Sequence, residues 1–178
     1  MTNSVLIAGF GGQGVLFAGK FLAYKGLLEG KEISWLPSYG PEMRGGTANC
    51  SVIVSDSPVG SPIVSNPDIL IAMNLPSFDK YENSANAGGY IFADSTLISK
   101  ETARDDVKAF YVPATQMAKD LGIPTLANMI LMGKVIKETG VVSFDEMREA
   151  LGKVVSAKRA ELLELNLKAL EAGYNYCD

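Results

Sequence analysis

The chain has 178 residues, 47% hydrophobic and 20% charged, with a net charge of −4 at neutral pH. An acidic chain (isoelectric point ≈ 4.9) argues against nucleic acid or an anionic membrane as its main partner. It contains no histidine and only two cysteines, Cys50 and Cys177. That is too few for an iron–sulfur cluster or a structural zinc site, each of which takes about four ligands.

This length predicts one domain over residues 1–178 with a real core. The charged share lies below the roughly 25% usual for soluble domains, which suits either a subunit with a buried face or a compact monomer. The apolar run Val5–Gly9 is too short for a signal-peptide core, and no run approaches the about 20 residues of a membrane span. A cytoplasmic location is expected, and in a reducing compartment no Cys50–Cys177 disulfide.

In chain order, Val5-Leu6-Ile7-Ala8 reads as a strand buried on both faces. "GFGGQG" forms a bare turn, and Leu16, Phe17, Phe21, Tyr24 and Leu28 then fall at helical spacing from Val15 to Leu28, with Gly30 as the stop. Ile33–Leu36 reads as a second strand ended by Pro37, followed by the loop "SYGPEMRGG". Asn49–Val54 alternates like a half-buried strand with Cys50, Val52 and Val54 on one face. Ile69–Met73 is a fully apolar strand, and Asn74 leads into a short helix through about Ser84. Strands follow at Gly89–Ala93 and Ala109–Val112, then a helix capped by Thr115 and ended by Gly122. A long apolar helix is expected at Thr125–Thr139, another behind a Ser143 cap, and an amphipathic one at Lys158–Ala172. Strands alternating with helices predict an α/β, three-layer Rossmann-like domain with a mainly parallel sheet and a helical C-terminal third.

Gly9, Gly11 and Gly14 match G-x-G-x-x-G between a strand and a helix. Such a turn offers backbone N–H groups and a helix N-terminus to a phosphate. Two requirements of a dinucleotide or nucleotide site are nevertheless unmet. The second strand ends Leu36-Pro37-Ser38, with its only acid, Glu32, at the wrong end, and no Gly-Lys-Ser/Thr follows the glycines. Anion binding by Gly9, Gly11, Gly12, Gln13 and Gly14 therefore competes with plain close packing of strand against helix.

The second loop lies beyond the carboxyl end of its strand, where ligands of parallel sheets bind. Its candidates are Ser38, Tyr39, Arg44 and Gly45; the arginine's planar fork suits phosphate or carboxylate, unless it pairs with Glu42. Asn74, after a later strand, either reaches the same edge or caps its helix, as does Ser77. Met129 and Met132 read as core, or as a subunit face.

Taken together, "GFGGQGVLFAGK", "PSYGPEMRGGTANCSVIVSD" and "SPIVSNPDILIAMNLPS" resemble the gamma subunit of 2-oxoacid:ferredoxin oxidoreductases over nearly the whole chain. The Ser-Tyr-Gly-Pro-Glu-x-Arg-Gly-Gly wording is similar to the 2-oxoglutarate and branched-chain 2-oxoacid branch. The resemblance implies an enzyme that oxidatively decarboxylates a 2-oxoacid with coenzyme A, giving acyl-CoA, carbon dioxide and reduced ferredoxin. It further implies that thiamine diphosphate, Mg and the iron–sulfur clusters sit in alpha, beta and, in some enzymes, ferredoxin-like delta partner subunits. This chain would then have no catalytic residue or metal of its own and would contribute to coenzyme A binding. Alternative readings are the small subunit of an indolepyruvate:ferredoxin oxidoreductase and a stand-alone acyl-CoA- or nucleotide-binding module.

Overall fold

A computed structural model describes residues 1–38 and 47–178. Its elements in chain order are β1 (Thr2–Phe10), α1 (Val15–Leu28), β2 (Glu32–Ser38), β3 (Thr47–Ser55), β4 (Ile69–Ala72), α2 (Leu75–Tyr81), β5 (Tyr90–Asp94) and β6 (Lys108–Val112), then α3 (Ala114–Asp120), α4 (Ala127–Thr139), α5 (Met147–Val154) and α6 (Ala160–Tyr174). The six strands form one sheet in the order β2-β3-β1-β4-β5-β6. β1, β4, β5 and β6 pair in parallel, while β3 runs antiparallel to both β1 and β2. The expected mainly parallel α/β sheet with a helical C-terminal third is present, with a single inverted strand.

The inversion has a simple cause. Only the eight residues 39–46 join β2 to β3, and a parallel return needs a crossover of a dozen or more. β3 is therefore a hairpin partner of β2, wedged between it and β1. It is buried along almost its whole length instead of on one face. Pro37 does not end β2; it sits in the ladder opposite Cys50. β2 is the edge strand, where a missing N–H costs no ladder bond on the open side.

The sheet divides two cores. Val5, Ile7, Cys50, Val52, Val54, Ile71 and Phe92 face α1 and the C-terminal helices. Leu6, Leu70, Ala72, Ile91 and Ala93 face the other way, onto Phe78 of α2 and Ile98. The C-terminal helices close the larger core through a tight crossing of α4 on α6. A Cβ on Gly133 would land on the Leu170 carbonyl oxygen, and one on Gly173 on the Ile130 carbonyl oxygen. The two backbones touch there because neither residue carries a side chain. Met129 and Met132 of α4 are fully buried, so both belong to the core of this chain.

Two expected caps are replaced. Thr115 lies inside α3, where its N–H and hydroxyl donate to the buried carboxylate of Asp94 at the end of β5. Ser143 does not start α5, which begins at Met147; its N–H and hydroxyl donate instead to Glu29 Oε1, across the chain at the end of α1. Both serve a buried or half-buried carboxylate, whose need for donors outweighs a cap's roughly 1 kcal/mol.

Candidate functional site

After β1 the chain crosses to one face of the sheet as α1, and after the neighbouring β4 it crosses to the other as α2. The carboxyl ends of β1 and β4 thus flank a topological switch point, the usual ligand crevice of an open α/β sheet. The glycine turn forms one wall of it and Met73–Asn74 the other. Ser38 lies on the same sheet edge, opposite Asn49, which in turn is opposite Ala8 of β1. Two inter-strand spacings put it roughly 10 Å from β1. Tyr39, Arg44 and Gly45 lie outside the described residues.

The glycines of the turn have two different jobs. Gly9 is buried, and a Cβ there would come 2.6 Å from Gln13 Oε1 and 3.0 Å from the Met73 Cβ. Gly14 is the N-cap of α1 at φ 74°, ψ 27°, and its Cβ would strike the Asn128 amide, whose nitrogen donates to the Gly14 carbonyl oxygen at 3.0 Å. These two positions answer to close packing. Gly11 and Gly12 are both exposed, and Gly12, at φ +90°, has open space where a side chain would go. Close packing therefore accounts for Gly9 and Gly14, while Gly11 and Gly12 stay exposed at the surface of the turn.

The Gln13 side chain is spent inside the turn. Its Oε1 accepts the Phe10 N–H at 2.6 Å, and its Nε2 donates to the Met73 carbonyl oxygen at 3.0 Å. The expectation that this amide donates to a ligand is thus corrected: Gln13 bridges the crevice. For Asn74 the capping alternative is the one the structure shows. It is 2% exposed, and its Oδ1 caps α2 by accepting the Ser77 N–H at 2.8 Å. Burial keeps both Asn74 and Ser77 from presenting a side chain to solvent.

What stays open is the rim itself. No side chain caps the N-terminus of α1, and no acid stands in its first turn. Among the described residues, the N–H groups of Gly11, Gly12 and Gly14 have no acceptor. The first turn of a helix leaves its N–H groups without intrahelical partners and carries roughly half a positive charge. Behind the rim lies a cavity of about 320 Å³ walled by Phe10, Val15, Leu16, Phe17 and Ala48. Phe10 is 43% exposed, a large ring left at the mouth. The combination suits a ligand with an anionic group for the N–H donors and an apolar portion for the wall.

Asn128 escaped the sequence reading. It sits on α4, 114 residues from the glycine it holds, at a position that in the sequence is one polar residue in an apolar helix. The lone amide among apolar neighbours was the available signal.

The thiols do not form a redox or metal site. Cys50 is fully buried, its thiol donating to the Val15 carbonyl oxygen, and burial pushes its pKa up to about 12. Cys177 is exposed, and both are free. Among the described residues no three of His, Cys, Asp and Glu stand together as metal ligands. Two cysteines cannot supply the about four thiolates of an iron–sulfur cluster.

At the opposite sheet edge a cavity of about 570 Å³ is lined by Glu29, Lys31, Asp56, Ser143 and Tyr174, among others. Behind Glu29 lies the fully buried Lys25, whose ammonium reaches Glu29 Oε1 and the Ser143 hydroxyl. Partial burial pulls the Glu29 pKa upward, but hydrogen bonds from Lys25 and Ser143 together outweigh it and hold the carboxyl below its usual range.

The profile of the pyruvate ferredoxin/flavodoxin oxidoreductase family matches residues 4–176. Ketoisovalerate oxidoreductase subunit VorA of Methanothermobacter thermautotrophicus is 44% identical over 95% of this chain and 35% of that protein. The chain thus spans about a third of VorA's length. 2-Oxoglutarate synthase subunit KorC of Methanocaldococcus jannaschii is 35% identical over 98% of this chain and 93% of its own. The gamma subunit of a keto/oxoacid ferredoxin oxidoreductase from Geobacter sulfurreducens superposes with a TM-score of 0.83, at 31% identity over 97% of this chain and 96% of that one. The same fold recurs in a 2-oxoglutarate:ferredoxin oxidoreductase from Magnetococcus marinus, with a TM-score of 0.85 at 23% identity, over 97% of this chain and 30% of that one. The glycine rim at the switch point, the family profile and these relatives converge: the chain belongs to the pyruvate ferredoxin/flavodoxin oxidoreductase family, with the fold of its gamma subunits.

Proposed function

We propose that this chain is the gamma-type part of a 2-oxoacid:ferredoxin oxidoreductase and binds an anionic portion of coenzyme A at its glycine rim. The assembled enzyme oxidatively decarboxylates a 2-oxoacid, yielding acyl-CoA, carbon dioxide and reduced ferredoxin. The observation that carries the rim's role is the uncapped, acid-free N-terminus of α1 behind the open Gly11–Gly12 pair. Coenzyme A matches it chemically: its phosphates can take the free N–H donors, and its less polar arm can lie along Phe10, Leu16 and Phe17. Arg44, on sequence grounds, supplies the positive side chain of the same edge. Thiamine diphosphate with Mg and the iron–sulfur clusters are assigned to alpha, beta and delta-type partners, a reading supported for the clusters by the two cysteines of this chain. Thiamine diphosphate supplies the electron sink for decarboxylation, and the clusters pass the electrons to ferredoxin. The share of this chain is to hold and orient coenzyme A.

For the substrate we propose 2-oxoglutarate, supported by the loop wording and by the full-length match to KorC. A branched-chain 2-oxoacid is the second reading, favoured by the 44% identity to VorA. The test is to purify the native complex through a tag on this chain and measure ferredoxin reduction with coenzyme A and each 2-oxoacid. Turnover that requires the partner subunits, with a higher kcat/KM for 2-oxoglutarate, is expected. A higher kcat/KM for 3-methyl-2-oxobutanoate selects the second reading, and tight coenzyme A binding by a chain that enters no complex rejects the subunit role. Coenzyme A protecting the rim amides from hydrogen exchange in the complex is the direct check of the site.

A further inference from the structure

We infer that Gln13 is a positioning residue: a strut across the switch-point crevice that sets the direction of the rim's N–H donors without touching the ligand. The inference rests on the reading of the rim as a coenzyme A site and assigns the residue on which that site depends. Three observations carry it. Gln13 uses both ends of its amide, Oε1 on the Phe10 N–H at 2.6 Å and Nε2 on the Met73 carbonyl oxygen at 3.0 Å, so neither end is aimed outward. Its own N–H donates to the Phe10 carbonyl oxygen at 3.2 Å, closing the turn around Gly11 and Gly12. The room for the side chain comes from Gly9, where a Cβ would stand 2.6 Å from Oε1.

The open pair Gly11–Gly12 therefore hangs between two fixed points, the end of β1 and, through Gln13, the end of β4. Glycine is the residue that loses most freedom on ordering. Without the strut, two exposed glycines would sample many directions, and a ligand would have to order them as it bound. With the strut, that ordering is complete before the ligand arrives. The Gln13 bond to Met73 also ties the rim to the residue next to the α2 cap, Asn74. The two walls of the crevice thus move as one piece.

The test uses the assembled enzyme with three variants: Gln13→Ala, Gln13→Met and Gly11→Asp. Gln13→Met fills the space but makes neither hydrogen bond, and it serves if the alanine variant folds poorly. Gly11→Asp puts a carboxylate on the rim itself. Gln13→Ala and Gln13→Met are expected to raise the KM for coenzyme A about tenfold, the worth of roughly one net hydrogen bond. Their kcat should stay within about twofold, because an interaction made equally in ground and transition states moves KM alone. Hydrogen exchange of the Gly11 and Gly12 amides, measured on the whole complex without coenzyme A, should accelerate in both Gln13 variants. Gly11→Asp should raise the same KM by charge repulsion without faster exchange. If Gly11→Asp raises KM and neither Gln13 variant does, the strut is overturned while the site stands. If Gly11→Asp leaves KM unchanged, the rim is not the coenzyme A site and the inference falls with it.

Discussion

Gly173→Ala tests the α4–α6 crossing most directly. The added methyl would fall on the Ile130 carbonyl oxygen, with the Ile130 Cα 3.1 Å away. The obstacle is backbone, so no rotamer change relieves it, and α6 must back away from α4. That separation loosens Ala169 and Leu170 of α6 and Ile130 of α4, all fully buried. Overpacking a core costs about 1–3 kcal/mol, and a backbone clash belongs at the upper end. Alanine recovers about 1 kcal/mol of helix propensity, leaving a net loss of about 2 kcal/mol. At this chain length that lowers Tm by about 4–8 °C. Gly152→Ala in α5, where a Cβ meets nothing within 4 Å, is the control and should gain up to about 1 kcal/mol. Thermal melts and urea midpoints of both variants read the difference. A Gly173→Ala chain as stable as wild type would mean that the two helices do not meet backbone to backbone.

Lys25→Met leaves Glu29, a fifth exposed, without its ammonium partner. Because of that exposure the loss at pH 7 is expected at about 2 kcal/mol, under the 3–5 of a fully buried pair. The Glu29 pKa in the fold lies below its ordinary 4.5, so the pair's contribution is present above pH 4.5 and disappears as pH falls through the depressed value. The stability gap between Lys25→Met and wild type, read from urea midpoints, should shrink in that acid window. Cys50, with its thiol pKa near 12, should resist iodoacetamide at pH 8 in the folded chain while exposed Cys177 reacts. Mass spectrometry should find one alkylated thiol in the native chain and two after denaturation. Gly14→Ala combines a left-handed backbone with a collision on Asn128 and should cost about 2–3 kcal/mol. Asn128→Ala in the same chain should recover part of that loss in a thermal melt.

Local order was legible in the sequence wherever a short-range cause set it. The run Val5–Ala8, the bare turn, the helix to Leu28 and its stop at Gly30 follow from patterning and from a positive φ that glycine adopts freely. Strand direction was legible too, in the short β2–β3 connection, although the mostly apolar runs pointed only to a mainly parallel sheet and not to which strand is inverted. Thr115 and Ser143 were misplaced for a different reason. Each looks like a cap from its neighbours in sequence, but each answers to a carboxylate, Asp94 or Glu29, that only the tertiary fold brings near. The candidate site was legible as a location and not as a set of roles. The glycine spacing marked the rim, yet whether a given glycine makes room for a ligand or for a protein atom depends on Asn128 and Met73, from distant parts of the chain.

The nesting of the Gln13 amide over Gly9 has a consequence for descent. A methyl at position 9 evicts the side chain at position 13, and a shorter residue at 13 leaves an unfilled space over position 9. Neither site can drift alone without disturbing the other, so the pair should be inherited together. In divergent members of the lineage, replacement of one should coincide with replacement of the other and with a different latch between the first and fourth strands.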